Sequence, residues 1–156
     1  MEAERLVIED GPTGPRMTRC HGCKQAELRD AARDLSRDLD GHLFIAAVPA
    51  QVCGACGEVT HALDDLARFD TAVTRALVAV GARGPEAARW LRKAAGLRAA
   101  ELADLLGVTP ETVSRWETGK HPMDRATAFT LGALASAGPA ERAAAVDRLR
   151  ALGAAA

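Results

Sequence analysis

The 156-residue sequence contains no tyrosine and only two Trp and three Phe. That scarcity excludes a core built on large rings, so burial has to come from Leu, Val and Ala on packed helices. No stretch approaches the roughly 18 uninterrupted apolar residues of a membrane span, so no membrane partner is expected. The charged start, Met1 to Arg5, has no apolar signal segment, which points to a reducing, cytoplasmic location. No Ser/His/Asp set, phosphate-cradling loop or framed carboxylate pair is legible, and the chain is not expected to be an enzyme. Formal net charge is −1. It hides an asymmetry: residues 1 to 82 carry 9 Lys/Arg against 13 Asp/Glu, whereas residues 83 to 135 carry 8 against 6. The acidic front is repelled by nucleic acid and the mildly basic part is not, so the two are expected to meet different partners.

Cysteine is equally sparse, and all four copies fall in two Cys-x-x-Cys pairs, Cys20/Cys23 and Cys53/Cys56. Four thiolates satisfy the tetrahedral preference of Zn2+ and leave no open position for substrate or water, so one structural zinc ion per chain is expected. Gly22, Gly54 and Gly57 supply permissive backbone for two tight knuckles whose amides point at the sulfurs. A disulfide framework in a secreted chain and a thioredoxin-like redox pair are the alternatives; the second needs one pair opening a helix, which two mirrored pairs fit poorly. His21, His42 and His61 could each replace a thiolate, but four cysteines already close the shell.

The expected fold class is α+β. Residues 1–16, with two prolines and two glycines, read as a flexible or extended arm outside the core. Residues 17–60 form the zinc-binding module, in which Leu43–Val48 is a strand entered through the Asp40-Gly41 turn signal, giving a β-hairpin between the knuckles. Leu28, Ala31, Ala32, Leu35 and Leu39 also have helical spacing, but a partner strand is the preferred reading. Residues 61–82 form a linking helix on the periodicity of Leu63, Leu66, Phe69 or Asp70, Val73, Leu77 and Val80. It is stopped by Gly81-Ala82-Arg83-Gly84-Pro85. From there residues 83–156 read as an all-α domain of five short helices: 86–95, 99–106, 110–118, 125–137 and 139–152.

Within that domain the run from Ala100 to Gly119 carries the chemistry. Leu102, Ala103, Leu105 and Leu106 bury one helix, Gly107 allows a left-handed turn, and Val108 plugs the corner: a helix-turn-helix. Thr109 is the N-cap, Pro110 fits the first turn, and Glu111 complements the helix dipole. Val113 and Trp116 face inward, which leaves Glu111, Thr112, Ser114 and Arg115 on the surface that a recognition helix offers to a major groove. Arg115 has the planar fork that matches guanine O6 and N7, though it could instead pair with Glu111 four residues earlier. Thr112 and Ser114 can bond bases or phosphates; Lys120 and Arg98 suit phosphates.

Leu102-Ala103, Leu106-Gly107-Val108-Thr109 and Ser114-Arg115-Trp116-Glu117-Thr118-Gly119-Lys120 resemble the Xre/Cro-type helix-turn-helix family. Behind the two knuckles, the second reading Val52-Cys53-Gly54-Ala55-Cys56-Gly57-Glu58, the whole resembles MqsA-family (YgiT-type zinc finger) antitoxins. That resemblance implies a homodimer that represses its own operon at a pseudo-palindromic double-stranded DNA site, and whose zinc module docks on a toxin, usually an mRNA-cleaving ribonuclease. It implies operator contacts at Arg115 and Glu111 and zinc ligation by Cys20, Cys23, Cys53 and Cys56. The family usually carries a neutral amide at Glu111 and glutamine at Ala99; the arm before Cys20 and the helix from Gly138 exceed the family minimum. The alternative is a stand-alone zinc-ribbon regulator without a toxin.

Overall fold

The computed structural model describes residues 3–8 and 11–154; Met1, Glu2, Glu9 and Asp10 of the expected arm, and Ala155 and Ala156 at the end of the expected all-α domain, lie outside the described residues. The fold is α+β. Strands β1 (Ala3–Arg5), β2 (Leu28–Leu39), β3 (His42–Cys53) and β4 (Val59–Thr60) precede helices α1 (Leu63–Ala79), α2 (Pro85–Ala94), α3 (Ala99–Leu106), α4 (Pro110–Glu117), α5 (Arg125–Ser136) and α6 (Pro139–Ala154). The chain divides into two compact units. One comprises Met1–Asp38 and His42–Val73, the other Leu39–Gly41 and Thr74–Ala156.

β2 and β3 form the hairpin, which belongs to the first unit except for its tip, Leu39–Gly41. Asp40 (φ 52°) and Gly41 (φ 80°) are both left-handed, as the tight two-residue turn that matches strand twist requires. β3 is the central strand, in the order β1-β3-β2 with β4 also on β3. It runs past the expected Val48 to Cys53, through Pro49. Proline is tolerated because, among the described residues, its nitrogen falls between two pairings: β1 pairs in parallel with Leu43–Ile45 and β4 antiparallel with Gln51 and Val52. Ala3–Arg5, in the segment expected to be a flexible or extended arm, is this paired strand. Its side chains are exposed, so it adds backbone hydrogen bonds and no core.

One face of β3, with Phe44, Ala46, Val48 and Ala50, is buried, as are Phe69 and Val73 of α1. The apolar stripe of α1 differs from the expected one. Leu63 is 82% exposed and Val80 is also exposed, whereas Asp65 is fully buried. Asp65 lies one turn before Phe69, and its Oδ1 accepts from the Thr13 amide and hydroxyl, both at 3.2 Å, and from Arg68 at 2.7 Å. A buried carboxylate needs such partners, and these are what allow it to occupy an inward position.

In the second unit α2 packs on α5 and α4, α3 on α4 and α6, and α5 on α6. Leu77, Leu91, Leu102, Met123 and Leu131 are its largest fully buried side chains, with Val113 also fully buried. The start of α2 is capped from far away in sequence. Asp40 accepts from the amides of Glu86 (3.0 Å) and Ala87 (2.9 Å), and Glu86 accepts in return from the Asp40 amide at 2.6 Å. This is a reciprocal capping box closed across the fold instead of within one helix. Gly84 is required beside it, since a Cβ there would stand 2.4 Å from the Asp40 carboxyl carbon. At the other end α6 buries no residue completely. It is fastened by Arg142, which donates to the carbonyls of Leu134 (2.8 Å) and Ala137 (2.9 Å) at the C-terminus of α5. No helix among the described residues is long and apolar enough to cross a membrane.

Candidate metal centre and nucleic-acid interface

The two Cys-x-x-Cys loops have the same backbone. In the first, Lys24 N donates to Cys20 O (3.0 Å) and Cys20 N to Gln25 O (2.9 Å); in the second, Gly57 N donates to Cys53 O (2.9 Å) and Cys53 N to Glu58 O (2.9 Å). Each knuckle turns back through a left-handed residue just after its second cysteine, Lys24 (φ 65°) and Gly57 (φ 77°). Gly57 thus has the conformational role expected of it. Gly22 and Gly54 do not have positive φ and serve close approach instead. A Cβ on Gly22 would lie 3.0 Å from Glu58 Oε2, and one on Gly54 3.3 Å from Glu27 Oε2.

The hairpin brings the knuckles together. Gly54 N donates to Glu27 O at 2.7 Å, and Glu58 Oε2 accepts from Gly22 N and Cys20 Sγ, both at 2.8 Å. All four Sγ atoms lie within 4.8 Å of one another, with Cys20–Cys56 and Cys23–Cys53 separations of 3.6 Å. A tetrahedron of sulfurs about 2.3 Å from a central ion has edges of about 3.8 Å. The four cysteines therefore fit a single metal ion. Cys20 and Cys53 are buried, Cys23 is half-buried and Cys56 is exposed. The backbone amide of Cys56 is the largest of the influences that bring the Cys53 thiol down to about 7, against desolvation. The Glu58 hydrogen bond is the main cause that pushes Cys20 up, and the same bond holds Glu58 below the usual carboxylate range. His61, considered above as a spare ligand, is engaged through Nδ1 with Pro49 O at 2.8 Å.

The second cluster lies on α3, the turn after it, and α4. Gly107 (φ 64°, ψ 32°) ends α3 in the left-handed conformation, and Val108 N donates to Ala103 O. Thr109 caps α4, accepting from Thr112 N at 3.3 Å, and its hydroxyl also meets that of Thr112 at 3.1 Å. Val113 and Trp116 are buried, which turns the opposite face of α4 outward. Glu111, Ser114 and Arg115 are exposed. No side-chain hydrogen bond or ion pair engages them among the described residues, so the Glu111–Arg115 pairing considered above is not formed. Lys120 is exposed after Gly119 (φ 75°). Arg98 is different: its guanidinium is bound to Glu101 at 2.9 Å, one turn on, which diminishes the net positive charge it presents.

What holds α4 in place was not legible in the sequence. Glu117 at its end is bound by Arg92 Nη2 at 3.2 Å as well as by Nε, both side chains only 13% exposed, while Arg92 Nη1 donates to Leu97 O. Arg89 adds a bond to the Glu117 carbonyl. This two-pronged pair fixes the pitch of α4 against α2. The only hint would have been an acidic residue directly after the buried Trp116.

No curated protein and no solved structure matches the chain. A family match does exist, to the family described as "Antitoxin component of bacterial toxin-antitoxin system, MqsA", over residues 18–135. That span holds all four cysteines and the whole of α1 to α4, and it stops one residue before the end of α5. The chain belongs to the MqsA antitoxin family.

Proposed function

We propose that the chain is a DNA-binding antitoxin that represses its own operon and neutralises a toxin, an mRNA-cleaving ribonuclease, in the cytoplasm. The observation that carries the DNA reading is the outward face of α4. Glu111, Ser114 and Arg115 stand exposed and unengaged on a helix whose N-terminus is capped and whose C-terminus is clamped by Arg92. A helix so held pays little ordering entropy on entering a groove, and a free guanidinium is the group best shaped for a guanine edge. In a homodimer two α4 helices reach successive major grooves of a pseudo-palindrome, about one helical turn apart. Arg115 reads a base; Ser114, Thr112 and Glu111 make shorter-range contacts; Lys120 binds phosphate, with Arg98 and the Thr109 hydroxyl, both engaged, as weaker contributors. Domain limits near residues 17, 60 and 82 remain the functional division we favour: arm, metal module, linking helix, DNA-binding part.

Zinc is the metal the donor set favours, held by Cys20, Cys23, Cys53 and Cys56. When bound it supplies a structural cross-link with no open position for chemistry. The front part, residues 1–82 with 9 Lys/Arg against 13 Asp/Glu, then presents a net acidic surface, on which a basic toxin docks. Binding of the full-length protein to its own upstream DNA tests the central reading. Arg115→Ala should weaken each half-site by about 1–3 kcal/mol and relax specificity at one base pair. Unchanged affinity and footprint would remove Arg115 from recognition.

A further inference from the structure

Helix α6 and its junction with α5 lie beyond the residues that family membership describes. The largest exposed apolar side chains of the second unit lie on either side of that limit: Phe129 of α5, inside the matched span, is 78% exposed, and Leu152 of α6, beyond it, is 71% exposed. Both line a groove of about 380 Å³ between α5 and α6, floored by Ala133 and Leu134. Two large apolar side chains exposed along one groove form a contiguous patch, the kind of surface that marks an interaction site.

Charge on α6 says what covers it. Glu141, Ala145, Arg148 and Leu152 border the groove and recur every three or four residues, a stripe about 60° wide on an ideal helix. Neither Glu141 nor Arg148 has an ion pair among the described residues; Arg142 is committed to α5, and Arg150 pairs with Asp147 on another face. One stripe thus bears a free acid near its start and a free base two turns on, with small Ala144 and Ala145 midway. We propose that a second copy of this chain lays its α6 antiparallel along this stripe. The two-fold axis then passes between Ala144 and Ala145, so that Glu141 of each copy meets Arg148 of the other. In that register Leu152 meets Ala137 of the other copy, and the Ala137–Pro139 turn covers Phe129 and Leu152. Small residues at the axis allow close approach of the helices, and the match of a face with itself is what an isologous dimer needs. The inference rests on the homodimer reading above and assigns its surface.

Charge reversal tests it in the full-length, metal-loaded protein by sedimentation. Glu141→Arg and Arg148→Glu each turn two attractive contacts repulsive and should raise the dimer dissociation constant roughly 10- to 30-fold. The double variant restores opposite charges and should return to within about threefold of wild type. Phe129→Asp should give a monomer. All three side chains are at the surface, so the far-ultraviolet circular dichroism spectra should be unchanged, which separates lost association from lost folding. A wild-type dimer left intact by both single reversals overturns this interface and leaves the homodimer reading standing. A double variant as weak as the singles overturns the Glu141–Arg148 register. A wild-type chain that sediments as a monomer overturns both interface and reading.

Discussion

Substituting Gly84 by alanine isolates the long-range cap on α2. Gly84 has φ −76° and ψ −177°, an extended conformation open to any residue, so the change introduces no backbone strain. Space is the obstacle. The added methyl would stand 2.4 Å from the Asp40 carboxyl carbon and 2.5 Å from both its oxygens. The carboxylate must leave, and with it go the bonds to Glu86 N and Ala87 N, two of the amides that α2 cannot satisfy internally. Loss of an N-cap costs about 0.5–2 kcal/mol, and displacement of the Glu86–Asp40 return bond adds to it. A destabilisation of about 2 kcal/mol is expected, a fall of roughly 10 °C in Tm for a unit of this size. Far-ultraviolet circular dichroism during heating reads it. The diagnostic step is the same substitution in an Asp40→Gly background, where the left-handed turn is kept and the carboxylate is gone. There Gly84→Ala should cost only a few tenths of a kcal/mol. An equal cost in both backgrounds would refute the collision and assign Gly84 some other duty.

Replacing Glu117 by Gln leaves the half-buried Arg92 without its counter-charge and should destabilise the helical unit by about 2–3 kcal/mol, with weaker DNA binding in a gel-shift assay; an unchanged melt would show that the pair is not a clamp. Stripping the metal with a chelator should open all four thiols to a colourimetric thiol reagent and collapse the amide-proton signals of the strands, while the signals of α2–α6 persist. Asp124 caps α5 through the hydroxyl and amide of Thr127, whose bonds hold its carboxyl below the usual range. Its contribution is therefore present above the ordinary aspartate value, about pH 4, and is lost as pH falls through the depressed value. Asp124→Asn should flatten that acid limb of the stability curve; an identical limb in the variant would argue that other carboxylates produce it.

Most of the architecture was written in local signals. Gly107, Pro110 and Pro139 punctuate the helices, the Asp40-Gly41 pair marks the hairpin, and the cysteine spacing marks the metal centre; each acts within a few residues of itself. What sequence reasoning missed depends on partners far along the chain. Asp65 reads as a helix-start acid until Thr13 and Arg68 are seen to surround it. Asp40 reads only as a turn residue until α2 arrives 46 residues later. Lys24 takes a left-handed position where the pattern of glycines pointed to Gly22, because the demand comes from the knuckle's return hydrogen bond and not from residue type. On α4 the exposed residues followed from the inward spacing of Val113 and Trp116, whereas the Arg92–Glu117 clamp needed two helices to meet.

The hairpin between the knuckles acts as a ruler. Its strands are 12 residues each and are joined by a two-residue turn, so the chain leaves the first knuckle and returns to the second with Gly54 against Glu27. Side chains alternate faces along a strand, and a single inserted residue would reverse every later one. Cys53 would then point away from Cys20 and Cys23, and the buried row Phe44, Ala46, Val48 and Ala50 would turn to water. Relatives of this chain can lengthen or shorten the hairpin only by matched, even steps in both strands, or by a compensating bulge. Loop insertions elsewhere face no such parity rule, so the gap between the two cysteine pairs should vary in jumps and not continuously.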